Sequence, residues 1–445
     1  MALCRPTGDR CRVLTESDEA LYIGIDIGTS GCRALVIDSN QKILAEAKSG
    51  FPPSTQENGR HTQDPEHWWQ GLELALHQLT RQIDASKVAA LAVDGTSASV
   101  LLADAAGSPL TPGLMYNDGR ARVEADLIRQ TDDAETAAQG ATSSLAKLLW
   151  FCRSQPGAGT RYFLSQCDWI VGRLTGRWGV SDYNNALKLG FDCARLEWPQ
   201  WMQRLPIHHE WLPAVHAPGE PVGPLLPALQ QRYGFSSTLS VVFGTTDGVA
   251  AFMASGATQP GQGVTSLGST LVLKVLCERP LFSESYGIYS HRLGNLWLAG
   301  GASNSGGAVL LKYFELEEIE RLTPLLDTDT DTGLDYYPLL EAGERFPINN
   351  PALPPRIEPV PGDRSLLFKG LLEGMARIEA LGYRRLQELG APSVFEVLTS
   401  GGGARNPAWN RIRSRILGVP VRTATSAQPA YGTALLAKGN FGPKK

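Results

Sequence analysis

Two short turns that combine an aspartate with glycines constrain the fold of this chain more than any other feature. The first, DIGTSG at residues 26–31, follows an apolar run, and so does the second, GTTDG at residues 244–248. A third glycine turn, SGGGARN, occupies residues 400–406. Turns of small residues after strands present backbone N–H groups to phosphates. The pattern predicts one nucleotide held between two lobes, with the aspartates supplying the metal-side carboxylate and the base that phosphoryl transfer requires.

Composition narrows the class of protein. A chain of 445 residues is too long for one ordinary core and predicts two domains. The net charge of -4 argues against nucleic acid as a partner. No apolar run approaches the roughly 20 residues that span a bilayer, so no membrane association is expected. Residues 1–20 lack the apolar centre of a secretory signal and are predicted to be a disordered tail or the result of a start codon placed too early.

The cysteines indicate the compartment. Seven are scattered along the chain, an odd number, and none forms a C-x-x-C pair. Free thiols in a reducing cytoplasm are therefore expected rather than disulfides or a zinc site, and the predicted localisation is cytoplasmic.

The order of secondary-structure signals predicts the architecture. Residues 21–27, 33–38 and 42–47 are predicted as an antiparallel meander, followed by a helix at residues 65–83 and a buried strand at residues 88–93. Asp64 as N-cap and Pro65 in the first turn support the helix.

The same plan restarts near residue 240, and long helices are predicted at residues 368–389 and 407–416. We therefore predict an α/β fold of two actin-like (ribonuclease H-like) ATPase lobes with a cleft between them. Residues 21–254 would form the first lobe, which holds the acceptor and the phosphates. Residues 255–445 would form the nucleotide-binding second lobe, whose last helix packs back on the first. Residues 216–227 are predicted as loop, and residues 327–361 as a surface excursion.

The residues of the first two turns suggest specific roles. Gly28 would let the backbone approach a phosphate, Thr29 and Ser30 would donate hydroxyls, and Asp26 would lie near a magnesium shell or a substrate hydroxyl. Asp247 would take the proton of the attacking hydroxyl. A tight hairpin at residues 26–31 and an N-cap at Asp247 are the structural alternatives.

The third turn has its own alternatives. Its spacing is not G-x-G-x-x-G, which disfavours a dinucleotide fold and a nicotinamide enzyme. Gly402 and Gly403 would allow close approach of a flat ligand, and Trp409 would offer an aromatic face near an adenine. A plain glycine turn and a core tryptophan remain open. The small-residue turn at residues 300–307 would either line the cleft or permit close packing.

Together, these segments resemble the FGGY family of carbohydrate kinases, of the actin-like ATPase superfamily, over nearly the whole chain. The resemblance rests on six segments: IDIGTSGCRALVID at residues 25–38, MYNDGRA at 115–121, LTGRWGVSDYNNALKLGFD at 174–192, GTTDGVAA at 244–251, TSLGST at 265–270 and TSGGGARNPAWNRI at 399–412.

The resemblance implies an enzyme that binds ATP, Mg²⁺ and a small sugar. Asp247 would be the catalytic base, and Asp26 would be the residue that lies next to the Mg²⁺ ion. The remaining residues fall into three groups: Asp26, Gly28, Thr29, Ser30, Gly268, Ser269 and Thr270 at the phosphates; Gly402, Gly403, Asn406 and Trp409 at the adenosine; and Asp26, Asp94, Ser97 and Asp247 at the sugar.

Departures from the family pattern bear on the substrate. The chain has VDGTS at residues 93–97 where bacterial xylulose kinases carry a Gln-Met-His-type motif, and it lacks the Gln-Arg-Glu pattern of glycerol kinases. Segments such as YGIYSH at residues 286–291 resemble the short cyanobacterial and plant-plastid branch, which is associated with D-ribulose phosphorylation. D-ribulose is therefore the expected substrate. D-xylulose, another sugar or polyol, and an actin-like ATPase without an acceptor are the alternatives. A monomer or homodimer is expected.

Overall fold

The computed structural model describes residues 20–131, 136–154 and 159–439. The tail predicted at residues 1–20 lies outside this part of the chain, apart from residue 20. Within the described ranges, no helix is both long and apolar enough to cross a membrane.

The first lobe contains three sheets, of six, five and two strands, and the helices that cover them. Its strands are β1 (Leu21–Ile27), β2 (Gly31–Ile37), β3 (Ile43–Gly50), β4 (Thr55–Glu57), β5 (Arg60–Gln63), β6 (Val88–Gly95), β7 (Val100–Ala103), β8 (Gly113–Leu114), β9 (Tyr162–Ser165), β10 (Val180–Asp182), β11 (Ala214–His216), β12 (Pro221–Pro224) and β13 (Ser240–Thr246). Its helices are α1 (Pro65–Thr80), α2 (Arg122–Thr131), α3 (Ser144–Arg153), α4 (Gln166–Thr175), α5 (Tyr183–Leu187), α6 (Pro227–Tyr233) and α7 (Asp247–Ser255).

The second lobe has one sheet. Its strands are β14 (Gln262–Leu267), β15 (Leu271–Cys277), β16 (Tyr289–Leu293), β17 (Leu296–Ser303), β18 (Glu396–Ser400) and β19 (Val421–Thr423). The helices that follow α7 are α8 (Gly307–Tyr313), α9 (Leu316–Leu322), α10 (Arg364–Glu388), α11 (Pro407–Leu417) and α12 (Pro429–Ala437).

The principal sheets of the two lobes share one plan. The first has the order β12-β13-β6-β1-β2-β3 and the second β16-β17-β15-β14-β18-β19. In the first, β1, β2 and β3 form the predicted antiparallel meander, and β6 and β13 join β1 in parallel. In the second, β14, β15 and β17 are antiparallel, and β18 and β19 join β14 in parallel. The repeated plan explains why the strand pattern restarts in the second half of the sequence.

Helix α1 shows why the local predictions succeed. Asp64 caps the helix by accepting a hydrogen bond from the backbone N–H of Glu66, and Pro65 lies in the first turn. The apolar face of the helix packs on the first sheet, and its predicted core residues are all buried: Trp68, Trp69, Leu72, Leu76 and Leu79.

The final helix, α12, contacts β1, β2 and β6 of the first lobe and packs along α7. Two glycines permit this approach. A Cβ on Gly24 would lie 2.0 Å from the carbonyl oxygen of Ala430, and one on Gly432 would lie 1.9 Å from that of Ala250. The last helix of the described chain therefore lies directly on the sheet that carries Asp26 and Asp94.

Two predictions about loops are wrong. Residues 216–227 contain the edge strand β12, which pairs with β13 despite two prolines. Residues 327–361 bury Tyr336, Leu339 and Phe346. The rings of Tyr336 and Phe346 pack onto glycines of α10, where an added Cβ would lie 3.0 Å or less from them. This segment is thus part of the second core.

Candidate active site

Three aspartates meet where the parallel strands of the first sheet end. Asp26 on β1 pairs in register with Asp94 on β6, and Thr245 on β13 pairs with Asp94 from the other side. Asp247 follows as the first residue of α7. Because carboxyl ends of parallel strands share one edge, the fold brings these three carboxylates together, although 68 residues separate Asp26 from Asp94 and 153 separate Asp94 from Asp247.

The carboxyl groups of Asp26 and Asp94 are electrostatically coupled. Burial raises the pKa of Asp26 to about 6, and the neighbouring Asp247 contributes to the increase. Burial also raises the pKa of Asp94 well above its usual range, with the charge of Asp26 as the next cause. Asp94 is fully buried, so the protein interior favours the neutral form of its carboxyl group.

A hydroxyl from the last helix supports this pair. The Oγ1 of Thr433 on α12 donates a hydrogen bond to Oδ2 of Asp94. The other carboxyl oxygen of Asp94 is buried and has no hydrogen-bond partner in the described part of the protein, and the same holds for the hydroxyl of Thr246. Buried polar atoms without partners are uncommon in folded proteins, so these two atoms favour a polar ligand or water at the strand ends.

Asp247 has a cationic neighbour from the second lobe. Its Oδ1 accepts a hydrogen bond from the backbone N–H of Gly248 at 2.6 Å, and Lys274 Nζ donates to the carbonyl oxygen of Gly248 at 2.5 Å. Burial raises the pKa of Asp247, whereas this hydrogen bond, Lys274 and Lys188 oppose the increase. Burial in turn lowers the pKa of Lys274 to about 8. The carboxylate of Asp247 therefore lies near positively charged side chains, which favour its ionised form. A general base needs that form to accept a proton.

The first small-residue turn joins β1 to β2 beside Asp26. The N–H of Gly28 donates to the carbonyl oxygen of Gly31 at 2.9 Å, and Thr29 and Ser30 are exposed. Arg33 Nη1 lies 4.0 Å from Asp26 Oδ2, on a side chain that is 53% exposed. The turn thus presents two hydroxyls and a cation at the same sheet edge as the aspartates.

The equivalent turn of the second lobe joins β14 to β15. It is closed by a hydrogen bond from the N–H of Gly268 to the carbonyl oxygen of Thr270, at 3.1 Å. A cavity of about 380 Å³ lies beside it. Of the residues predicted from the sequence, this cavity is lined by Gly268, Ser269, Gly402, Gly403, Asn406 and Trp409. The residues predicted to bind adenosine therefore lie beside Gly268 and Ser269, two of the residues predicted to bind phosphate.

Trp409 and Asn406 shape this cavity from behind. Only 2% of Trp409 is exposed, and a Cβ on Gly403 would lie 2.5 Å from its ring. Asn406 caps α11 by accepting a hydrogen bond from the N–H of Trp409 at 2.9 Å, and its amide nitrogen donates to Thr323 Oγ1 at 2.9 Å. The ring of Trp409 is thus packed beneath the glycine turn. It does not present the open aromatic face for adenine that the sequence predicted. Leu311 and Leu316, which the sequence did not single out, add exposed apolar surface at the cavity.

The loop after β6 turns Ser97 toward the surface and Thr96 inward. The N–H and the hydroxyl of Thr96 both donate to Gln166 Oε1, at 2.9 and 2.8 Å. Buried Lys147 donates to the carbonyl oxygen of Ala98 at 2.8 Å, where the chain has a φ of 69°. Ser97 is partly exposed. These buried side chains hold the loop in one shape while leaving Ser97 accessible.

Fold and site together define a class of protein: a two-lobed phosphotransferase of the actin-like ATPase architecture. Residues 21–254 match the N-terminal domain, and residues 263–438 the C-terminal domain, of the FGGY family of carbohydrate kinases. The chain belongs to this family, and it is an enzyme that transfers phosphate to a sugar.

Individual relatives agree with this assignment. The xylulose kinase of Escherichia coli (strain K12) is 27% identical over 96% of this chain and 91% of its own length. The gluconokinase of Bacillus subtilis (strain 168) is 24% identical over 88% of this chain and 82% of its own length. The crystal structure of a xyloylose kinase from Brucella ovis superposes with a TM-score of 0.86 at 24% identity, covering 94% of this chain and 90% of that one, which shows the shared fold.

Proposed function

We propose that this enzyme phosphorylates a ketopentose with ATP, and that D-ribulose is converted to D-ribulose 5-phosphate. The observation that supports it most directly is the pairing of two sites: an aspartate cluster on the first sheet, and a cavity beside a small-residue turn on the second. Such a division suits a sugar on one lobe and a nucleotide on the other.

In the proposed reaction, the acceptor hydroxyl of the sugar attacks the γ-phosphorus of ATP. The new oxygen–phosphorus bond forms as the bond to the β–γ bridging oxygen breaks, and ADP leaves. Asp247 takes the proton of the hydroxyl. Thr29 and Ser30 donate to the phosphates from one lobe and residues 268–270 from the other. The cavity lined by Gly402 and Gly403 takes the adenosine.

Mg²⁺ is part of this proposal, with Asp26 as the protein residue that holds it. The donor set fits a hydrated magnesium ion, because carboxylate oxygens gather at the strand ends and one oxygen of Asp94 is without a partner. When bound, the ion would neutralise charge on the transferred phosphate. The described residues contain no cluster of three or more His, Cys, Asp or Glu that could form a cage of protein ligands alone.

The loop after β6 supports a neutral sugar. Asp94 and Ser97 offer a carboxyl group and a hydroxyl, which match vicinal hydroxyls. D-ribulose is favoured because VDGTS at residues 93–97 stands where bacterial xylulose kinases carry a different motif. D-xylulose is the second candidate, since several relatives are named xylulose kinase, although at 27% identity or less.

A panel of pentuloses, hexoses, polyols and gluconate in a coupled assay for ADP tests this proposal. D-ribulose should have the highest kcat/KM. If D-xylulose, glycerol or gluconate has a higher value, the assignment of the substrate is wrong.

Replacing Ser97 with Ala should raise the KM for the sugar about tenfold, as expected for losing one neutral hydrogen bond. The KM for ATP should hardly change, because Ser97 lies on the other lobe from the nucleotide cavity. Steady-state kinetics with each substrate varied in turn measures both values. Ser237→Ala, an exposed serine elsewhere in the first lobe, is the control. An unchanged sugar KM in Ser97→Ala would remove this residue from the sugar site.

Replacing Gly403 with Val should weaken ATP binding by about tenfold or more. The new Cβ would lie 2.5 Å from Trp409 and 2.9 Å from Leu267, so the glycine turn must shift at the wall of the cavity. Calorimetry with a non-hydrolysable ATP analogue measures the affinity. Gly362→Val, where an added Cβ meets no atom within 4 Å, is the control. A folded Gly403→Val variant with unchanged affinity would contradict the location of the nucleotide site.

A further inference from the structure

Glu344 lies in the segment 327–361, outside every motif discussed above, and only 2% of it is exposed. Its two carboxylate oxygens accept four hydrogen bonds from uncharged donors. Ser303 Oγ and the N–H of Asn304 donate at 2.6 and 2.7 Å, and the N–H of Arg345 and Tyr337 Oη donate at 2.9 and 3.1 Å. A carboxylate has about four acceptor positions, so these donors satisfy Glu344 fully.

Two of these donors belong to the turn that connects β17 to α8. Ser303 relays the interaction, because its hydroxyl also accepts a hydrogen bond from the N–H of Ser305 at 3.0 Å. Asn304 adds a second link, since its side-chain amide donates to the carbonyl oxygen of Gly343 at 2.9 Å. Glu344 and its neighbour thus hold three successive residues of this turn.

The same turn is in backbone contact with residues 268–270. The N–H groups of Gly307 and Ala308 donate to the carbonyl oxygens of Gly268 and Ser269, at 2.9 and 3.1 Å. A Cβ on Gly306 would lie 2.7 Å from the carbonyl oxygen of Ser269, and one on Gly307 would lie 2.8 Å from that of Gly268. With no space between the two turns, a shift of one displaces the other.

One more atom points to a ligand here. The hydroxyl of Ser305 is fully buried and has no hydrogen-bond partner in the part of the chain that the structure describes. It lies in the turn between the residues held by Glu344 and the glycines that touch the phosphate turn. An unpaired buried hydroxyl is costly unless a water or ligand oxygen completes it.

We propose that Glu344 is a positioning residue for nucleotide binding, which acts through Ser303 and Asn304 to hold residues 268–270 in the shape that receives the phosphates of ATP. Glu344 does not touch the nucleotide itself. The inference rests on the proposed function, because it takes residues 268–270 as part of the ATP site.

Glu344→Ala and Glu344→Gln test the role. Glu344→Ala leaves four donors without their acceptor, of which Ser303 is buried, and should raise the Kd for a non-hydrolysable ATP analogue about tenfold or more, with an equal rise in the KM for ATP. The sugar KM should stay within about twofold of wild type. Glu344→Gln keeps one carbonyl oxygen for the two backbone donors, and both hydroxyls can accept from its amide, so it should restore most of the ATP affinity. Glu341→Ala, an exposed glutamate in the same segment, is the control.

The outcomes separate this inference from the proposed function. If the wild-type enzyme does not bind the ATP analogue, the proposed nucleotide site itself is wrong. If the wild type binds and a folded Glu344→Ala variant binds equally well, or loses sugar and ATP affinity in equal measure, the positioning role is wrong. Should Glu344→Ala not fold, Ser303→Ala decides in its place. A raised ATP KM with an unchanged sugar KM supports the relay, and no change overturns it.

Discussion

Replacing Asp247 with Asn is expected to lower kcat by about 100-fold or more, the usual loss when a general base is removed. Asparagine has nearly the same size, and its carbonyl oxygen can still accept the hydrogen bond from the N–H of Gly248, so the local fold should persist. What it cannot do is take a proton from the sugar hydroxyl. A coupled assay for ADP at saturating sugar and ATP measures the effect.

The binding of ATP should change little in Asp247→Asn, because the cavity that we assign to adenosine lies on the second lobe. Asp126→Asn is a suitable control, since this aspartate is exposed and forms its ion pair with Arg129 on its own helix. Turnover of Asp247→Asn within a few-fold of wild type would show that another group accepts the proton.

A large loss of stability is expected when Gly24 is replaced with Val. The new Cβ would lie 2.0 Å from the carbonyl oxygen of Ala430 and 2.3 Å from the backbone nitrogen of Ala434. These are main-chain atoms of α12, so the whole helix must move away from the sheet. Overpacking typically costs about 1–3 kcal/mol in free energy of unfolding, and a clash with main-chain atoms belongs at the upper end of that range. Thermal unfolding followed by circular dichroism should show a clearly lower melting temperature.

The same substitution should affect catalysis, since α12 carries Thr433, whose hydroxyl donates to Asp94. Gly223→Val is the matched control: this glycine is also in a strand of the first sheet, and an added Cβ meets nothing within 4 Å. If Gly24→Val melts at the wild-type temperature, α12 does not pack on β1 in solution as described.

Much of the fold could be predicted because its signals are local. Helix α1 has an N-cap, a proline in the first turn and apolar residues on one face, and its start is as predicted. Strand β1 has the predicted bounds, Leu21–Ile27. Asp26, Asp94 and Asp247 could be selected because each follows or ends an apolar run, and strand ends in α/β folds collect functional groups.

Contacts between distant segments could not be predicted in this way. Thr433 reaches Asp94 across 339 residues, and nothing near either residue indicates the pairing. For Lys274 the sequence contains one signal, because a charged residue stands in the middle of the apolar strand β15. Glu344 lies in a segment whose polar composition predicted a surface position, whereas its aromatic neighbours pack into the second core. Such positions depend on tertiary packing, which overrides local composition.

The arrangement of substrates around Asp247 can be measured directly by a crystal structure with D-ribulose and a non-hydrolysable ATP analogue. The acceptor hydroxyl should lie about 2.6–3.2 Å from a carboxylate oxygen of Asp247. The γ-phosphate should lie between residues 28–30 and 268–270, and the adenosine beside Gly402 and Gly403. A sugar bound away from Asp247, or an adenosine outside this cavity, would show that the proposed arrangement is wrong.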